Sequence, residues 1–191
     1  FFFVMGLSRT TVAHAAIILG MGPLMVLVIA GITGLEPFTP RRAAGMAMAL
    51  GGVAILKVFE RHTAGPRPTW LGDTFMFLAG LTFALFTVFG KRVSTRHTSV
   101  TVNTFAYISA AVTLSPLVLW QGRGFAFSQV SAGAWMALFY MALFPSVLCY
   151  LIFYYALARI PASRVSAFSY LQPLLATVLG VVILHEPVTA A

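Results

Sequence analysis

Only four residues of this 191-residue chain carry a carboxylate, Glu36, Glu60, Asp73 and Glu186, against twelve Lys and Arg and four His. Carboxylates are common tools of proton transfer and metal binding, so their positions decide which chemistry is open. Each lies beside a proline, a glycine or a basic residue at the edge of an apolar stretch, and none in the middle of one. A proton-coupled carrier places an ionisable group in its bundle interior, and the positions of these acids at helix ends leave no carboxylate at mid-membrane, so coupling resides in the missing helices or the chain is not a proton antiporter of the carboxylate type. No Cys/His cluster, phosphate-cradling glycine loop or nucleophile–base pair is visible. Enzymatic, metal and cofactor chemistry therefore have no support, and no cofactor is expected. The single Cys149 sits unpartnered within an apolar run and reads as a small buried residue.

Uncharged polar groups are better placed for solute chemistry. Ser163, Ser166, Tyr170, Pro173 and Thr177 recur at steps of three and four, one face of a helix, flanked by Ser169 and Gln172. Polar side chains are costly against lipid, so this face must meet other helices or a cavity. Small and hydroxyl residues also serve close helix packing, and the stripe fits either use. A counterpart at Ala13, Ala16, Gly20, Pro23 and Leu27 is small rather than polar, with His14 alongside. Tyr150 and Tyr154, one turn apart in an aromatic-rich stretch, suit stacking on or hydrogen bonding to an amphipathic solute. The candidate cavity residues are thus Ser166, Tyr170, Gln172, Tyr150, Tyr154 and His14, with Pro23 and Pro173 as helix hinges. Glu36–Thr39 and Glu186–Thr189 share the pattern Glu-Pro-x-Thr, which reads as structural capping by Glu36, Thr39, Glu186 and Thr189. Thr39 would cap a helix opened by Pro40, with Glu36 near a positive helix N-terminus. A coupling role for these acids is the alternative, and it requires them to move into a cavity. Asn103 is a lone helix amide, best explained by an interhelical hydrogen bond.

The elements that must position these groups are set by composition. With 60% apolar and 8% charged residues and a mean hydropathy of +0.94, the chain cannot cover a water-soluble surface. Seventeen Phe exclude a disordered chain. The formal charge of +8 is spread as singles and pairs between apolar stretches, the pattern of membrane loops rather than of a nucleic-acid partner. Six stretches reach spanning length: 11–33, 43–59, 71–89, 99–120, 133–157 and 162–184. A seventh, 1–6, has neither a basic flank nor a cleavage site and reads as the tail of a helix beginning earlier, not a signal peptide. The runs are long and continuous where barrel strands would alternate, so helices are expected. Pro23, Pro116, Pro145 and Pro173 inside them are tolerable in a bundle whose neighbours satisfy the freed carbonyls.

Slid against itself by 150 residues, the chain places Phe3, Leu7, Arg9, Pro23, Leu24, Val28, Glu36, Pro37 and Thr39 on Phe153, Leu157, Arg159, Pro173, Leu174, Val178, Glu186, Pro187 and Thr189. By this repeat, roughly 78 residues precede Phe1 and about 18 follow Ala191, giving a parent of about 287 residues. Five helices begin within one period, and an odd count inverts the second unit relative to the first. This is the arrangement of secondary transporters whose site lies between the halves. Seven basic residues collect on the side of loops 35–42 and 91–98 and five on the other, which puts those loops in the cytoplasm.

The sequence YLQPLLATVLGVVILHEPVT at 170–189 resembles the second-repeat signature of the EamA-like family of the drug/metabolite transporter superfamily. MGPL at 21–24, LEPFT at 35–39, Gly45, GGV at 51–53, GD at 72–73 and GKR at 90–92 carry the same resemblance. It implies an all-α polytopic membrane protein, a fragment of a ten-helix bundle of two inverted five-helix repeats. Residues 1–59 would be the C-terminal part of the first repeat, 60–71 a linker, and 72–191 the second repeat without its last helix. The function implied is export of a small organic solute, a metabolite, amino acid or drug-like compound, across a bacterial-type inner membrane by alternating access. The expected partners are that solute and the lipid bilayer, with monomer and homodimer both open. A non-transporting scaffold or intramembrane enzyme is the alternative reading.

Overall fold

The computed structural model describes residues 1–59, 69–172, 174–175 and 182. Pro173, Thr177, Glu186 and Thr189, all singled out by the sequence, lie outside the described residues. Among the described residues the fold is helical throughout, without a strand. In chain order the helices are α1 (Phe2–Leu7), α2 (Val12–Gly20), α3 (Gly22–Ile32), α4 (Pro40–Phe59), α5 (Trp70–Ser94), α6 (Ser99–Gln121), α7 (Ala132–Met141), α8 (Tyr150–Arg159) and α9 (Ala162–Ala167). A π-helical stretch, Ala142–Cys149, joins α7 to α8, and a 3₁₀ turn, Phe168–Tyr170, follows α9. Four segments are long and apolar enough to cross a membrane: His14–Ile32, Trp70–Ser94, Ser99–Trp120 and Ala132–Arg159.

Packing gathers the chain into two compact units, Phe1–Phe89 with Ile160–Ala191, and Gly90–Arg159. In the first, α3 packs on α9 and α2 on α4, around a core of Val26, Leu27, Ala30, Met46 and Met76. Close approach here depends on missing side chains. A Cβ on Gly72 would fall 2.6 Å from the Arg9 carbonyl carbon, so only glycine lets the start of α5 rest on that turn. Thr69 fixes the same junction, donating its hydroxyl to the Arg9 carbonyl at 2.6 Å while its oxygen accepts the Gly72 amide at 3.1 Å. It thereby caps α5. The sequence predicts one helix over 11–33. The stretch is long enough to span, as His14–Ile32, but is interrupted at Met21 between α2 and α3, with Pro23 in the first turn of α3, where its missing N–H leaves nothing unsatisfied.

In the second unit α6 packs on α8. Lys91 reaches the last turn of α8 and donates Nζ–H to the Leu157 carbonyl at 2.5 Å, a cation where the helix is negative. Pro145 has no N–H and crowds the carbonyl four residues earlier, that of Met141. The π-helical widening relieves the crowding, and the Ser146 hydroxyl donates to that carbonyl at 3.1 Å. Tyr107 on α6 then donates to the Ser146 carbonyl at 2.8 Å. The Asn103 amide departs from expectation, since its Oδ1 is buried with no hydrogen-bond partner. Most apolar side chains of α6 and α7 are exposed, which suits a surface solvated by lipid.

Candidate functional site

In the first unit the polar site begins with the turn that ends α3. Gly34 adopts φ 67°, a left-handed conformation that glycine takes without strain. The amides of Leu35 and Glu36 both fold back on the Ala30 carbonyl, at 2.9 and 3.1 Å. This turn carries Glu36 into the interior, where its Oε1 accepts the Ser163 amide at 3.3 Å and its Oε2 accepts the Ser163 hydroxyl. Arg42 Nη1 stands 3.8 Å from Oε2. Ser163 is the second residue of α9 and its amide has no intrahelical acceptor, so Glu36 caps α9. The sequence associated Glu36 with the helix that follows it. Its partner is instead 127 positions further along the chain. Thr39 directly precedes α4, and its carbonyl accepts the amides of Arg42 and Ala43.

The α9 stripe is partly turned onto its own backbone. Ser166, which is buried, donates to the Ser163 carbonyl at 3.0 Å, and Ser169 donates to the Ser166 carbonyl at 2.7 Å. Tyr170 has a buried hydroxyl with no hydrogen-bond partner, and Gln172 is exposed. Ser163 and Tyr170 line a cavity of about 740 Å³ with Arg42, Met46, Arg164 and Leu171. That volume falls within the range that accommodates small molecules. Three arginines, Arg41, Arg42 and Arg164, border it, and only Arg42 faces Glu36.

His14, which the sequence places beside the small-residue stripe as a cavity candidate, has an acid for a neighbour. Its Nδ1 lies 3.3 Å from Asp73 Oδ2, and the buried Thr10 donates to Asp73 Oδ1 at 2.5 Å. Asp73 occupies the first turn of α5, where the helix dipole favours an acid. This three-residue junction between the starts of α2 and α5 escaped the sequence reading. The available signal was a polar pair, Thr10-Thr11, opening one helix and Gly72-Asp73 opening another.

In the second unit Tyr150 and Tyr154 do come together. Their ring centroids are 6.1 Å apart, with Tyr107 6.3 Å from Tyr150 and Phe153 5.7 Å from Tyr154. Tyr154 is only 1% exposed, its ring enclosed within this unit. Among the described residues no three of His, Cys, Asp and Glu converge in a way that would hold a metal.

Long apolar helices, with buried hydroxyl and carboxylate groups held at helix ends, define a polytopic helical membrane protein. Residues 70–191 match the model of the EamA-like transporter family, and the chain belongs to that family. It is 28% identical over 179 residues to the uncharacterized transporter YyaM of Bacillus subtilis, covering 93% of this chain and 59% of that protein. To a probable terminal-alkyne amino-acid exporter of Streptantibioticus cattleyicolor it is 27% identical over 172 residues, covering 90% of this chain and 56% of that protein. A solved crystal structure superposes with a TM-score of 0.81 at 20% identity, covering 99% of this chain and 66% of the other, which shows a shared fold. The chain spans less than two thirds of the length of the first curated relatives it matches.

Proposed function

We propose that this chain forms part of a carrier that exports a small organic solute, such as a metabolite, amino acid or drug-like compound, across a bacterial-type inner membrane by alternating access. The observation that carries the reading is the polar junction of α3, α4 and α9. Ser163, which holds the buried carboxylate of Glu36, and Tyr170, whose buried hydroxyl has no hydrogen-bond partner, line a cavity in a chain otherwise made of apolar helices. Family membership supports transport, and the relative named as an amino-acid exporter supports a solute of that size. In this reading Ser166, Tyr170, Gln172, Tyr150, Tyr154 and His14 meet the solute, and the helices of Pro23 and Pro173 rock about it.

Accessibility tests the reading. Cys149, expected from the sequence to be buried, is exposed and must first be replaced by Ala. Ser166→Cys and Gln172→Cys in lipid are then expected to react with a membrane-impermeant maleimide, with the solute slowing the reaction. Complete protection of both from both faces would exclude a water-accessible path and leave a scaffold.

The inverted repeat, part of the same proposal, makes a sharper demand. Exchange of the two halves maps Glu36 to 186 and Ser163 to 13, the 150-residue offset applied in opposite directions. Ala13 is the second residue of α2, as Ser163 is of α9. A Cys pair at Ala13 and Glu186, with Cys149 removed, is therefore expected to crosslink through a short bis-maleimide as readily as a pair at Glu36 and Ser163. Crosslinking of the second pair alone would remove the support for inversion.

A further inference from the structure

The second unit, residues 90–159, holds five cationic side chains, Lys91, Arg92, Arg96, Arg123 and Arg159, and no Asp or Glu. Any counter-charge for them must come from outside the unit. One place is shaped to receive it. Where α5 ends, α6 begins and α8 ends, the chain encloses a concavity of about 580 Å³ lined by Ser94, His97, Thr98, Ser99, Tyr155 and Arg159, among others.

Three features of this concavity suit an anion. Arg159 is held in place, its guanidinium 3.5 Å from the Tyr155 ring centroid and its Nη1 donating to the Tyr155 carbonyl at 3.3 Å. Its remaining N–H groups are left for another acceptor. Thr98 caps α6, accepting the Thr101 amide at 3.2 Å, so the first amides of this 23-residue helix, with their positive dipole end, open at the concavity. Ser94 is 3% exposed, lines the space, and its hydroxyl has no hydrogen-bond partner. A buried hydroxyl left unmatched is costly unless a ligand completes it.

We propose that this concavity binds a phosphate group. Arg159, His97, Ser94 and Ser99 offer donors on several sides, more than the two oxygens of a carboxylate use and well matched to a tetrahedral oxyanion. The phosphate belongs either to a phospholipid headgroup or to a free phosphate compound, since both present the same oxygens.

The chain in phosphatidylcholine nanodiscs would be titrated with inorganic phosphate. In parallel, nanodiscs containing phosphatidylglycerol would be analysed for retained lipid by native mass spectrometry. Binding of inorganic phosphate identifies a free phosphate compound as the source, and retention of phosphatidylglycerol alone identifies the headgroup. In either arm Arg159→Gln is expected to weaken binding roughly tenfold or more, and Ser94→Ala severalfold with unfolding unchanged. Arg123→Gln, at the far end of α6, removes the same charge and is expected to change nothing. Binding by neither probe, equal loss in Arg123→Gln and Arg159→Gln, or wild-type binding by Ser94→Ala would overturn the site.

Discussion

Replacing Glu36 with Ala is expected to cost about 3 kcal/mol, because it leaves the Ser163 amide and hydroxyl without their acceptor and removes the counter-charge that stands 3.8 Å from Arg42 Nη1. The loss falls on the packing of α9 against α3, the contact that joins the two ends of the first unit. Glu36→Gln keeps one carbonyl oxygen for Ser163 but sets an amide N–H₂ against donors, so an intermediate cost is expected. Arg42→Leu should cost less than either, since its Nη1 stands 3.8 Å from the carboxylate, beyond hydrogen-bond range. Reversible denaturant unfolding in micelles orders the three variants. An unfolding midpoint for Glu36→Ala equal to wild type would show that the carboxylate does not secure α9.

Tyr154→Ala is expected to cost a comparable amount, about 3–5 kcal/mol. The ring is essentially excluded from solvent and touches Tyr150 and Phe153, so truncation leaves a hole that α8 cannot close without losing its packing on α6. Tyr154→Phe separates the ring from its hydroxyl and should stay within about 1 kcal/mol of wild type. The comparison also weighs the proposed solute-binding role. If Tyr154 only packs, the Phe variant transports normally. If its hydroxyl meets the solute, the Phe variant loses transport while keeping wild-type unfolding. A near-neutral Ala variant would remove Tyr154 from the core.

Much of the helical layout is legible in the sequence, and the reasons for the misfits are physical. The stretch 99–120 matches α6, Ser99–Gln121, almost to the residue, because Thr98 and Gly122 bound it with ordinary cap chemistry. The stretch 71–89 underestimates α5, which runs on through Lys91 and Arg92 to Ser94. Hydropathy stops at charge, whereas a helix is content to end in cations. The stretch 43–59 begins three residues late because hydropathy again stops at charge, while Arg41 and Arg42 are helical although the dipole does not favour cations at a helix start. The bond between Glu36 and Ser163 is hidden in the sequence, where Ser163 falls on the α9 stripe and fits a solute-facing or packing role equally. A buried acid needs donors, and the exposed amides of a helix start are the cheapest ones, but no periodicity reveals which helix supplies them. His14 was assigned to a cavity by its place beside a small-residue stripe, and its neighbour Asp73 comes from a different helix 59 positions away. In both cases local pattern recovered the element and missed the long-range pairing.

The widened turn at Ala142–Cys149 bears on how this helix can change over evolutionary time. An α-helix advances about 100° per residue, so absorbing one extra residue in a wider turn resets the angular phase of everything that follows. The azimuth that points Tyr150 at Tyr107 and buries Tyr154 is set at Pro145 and Ser146, one turn upstream of Tyr150 and two turns upstream of Tyr154. A single-residue deletion there would swing α8 by roughly a quarter turn and carry the tyrosines off α6, with every side chain still in place. Substitution can tune this helix residue by residue, but its length is locked at that turn.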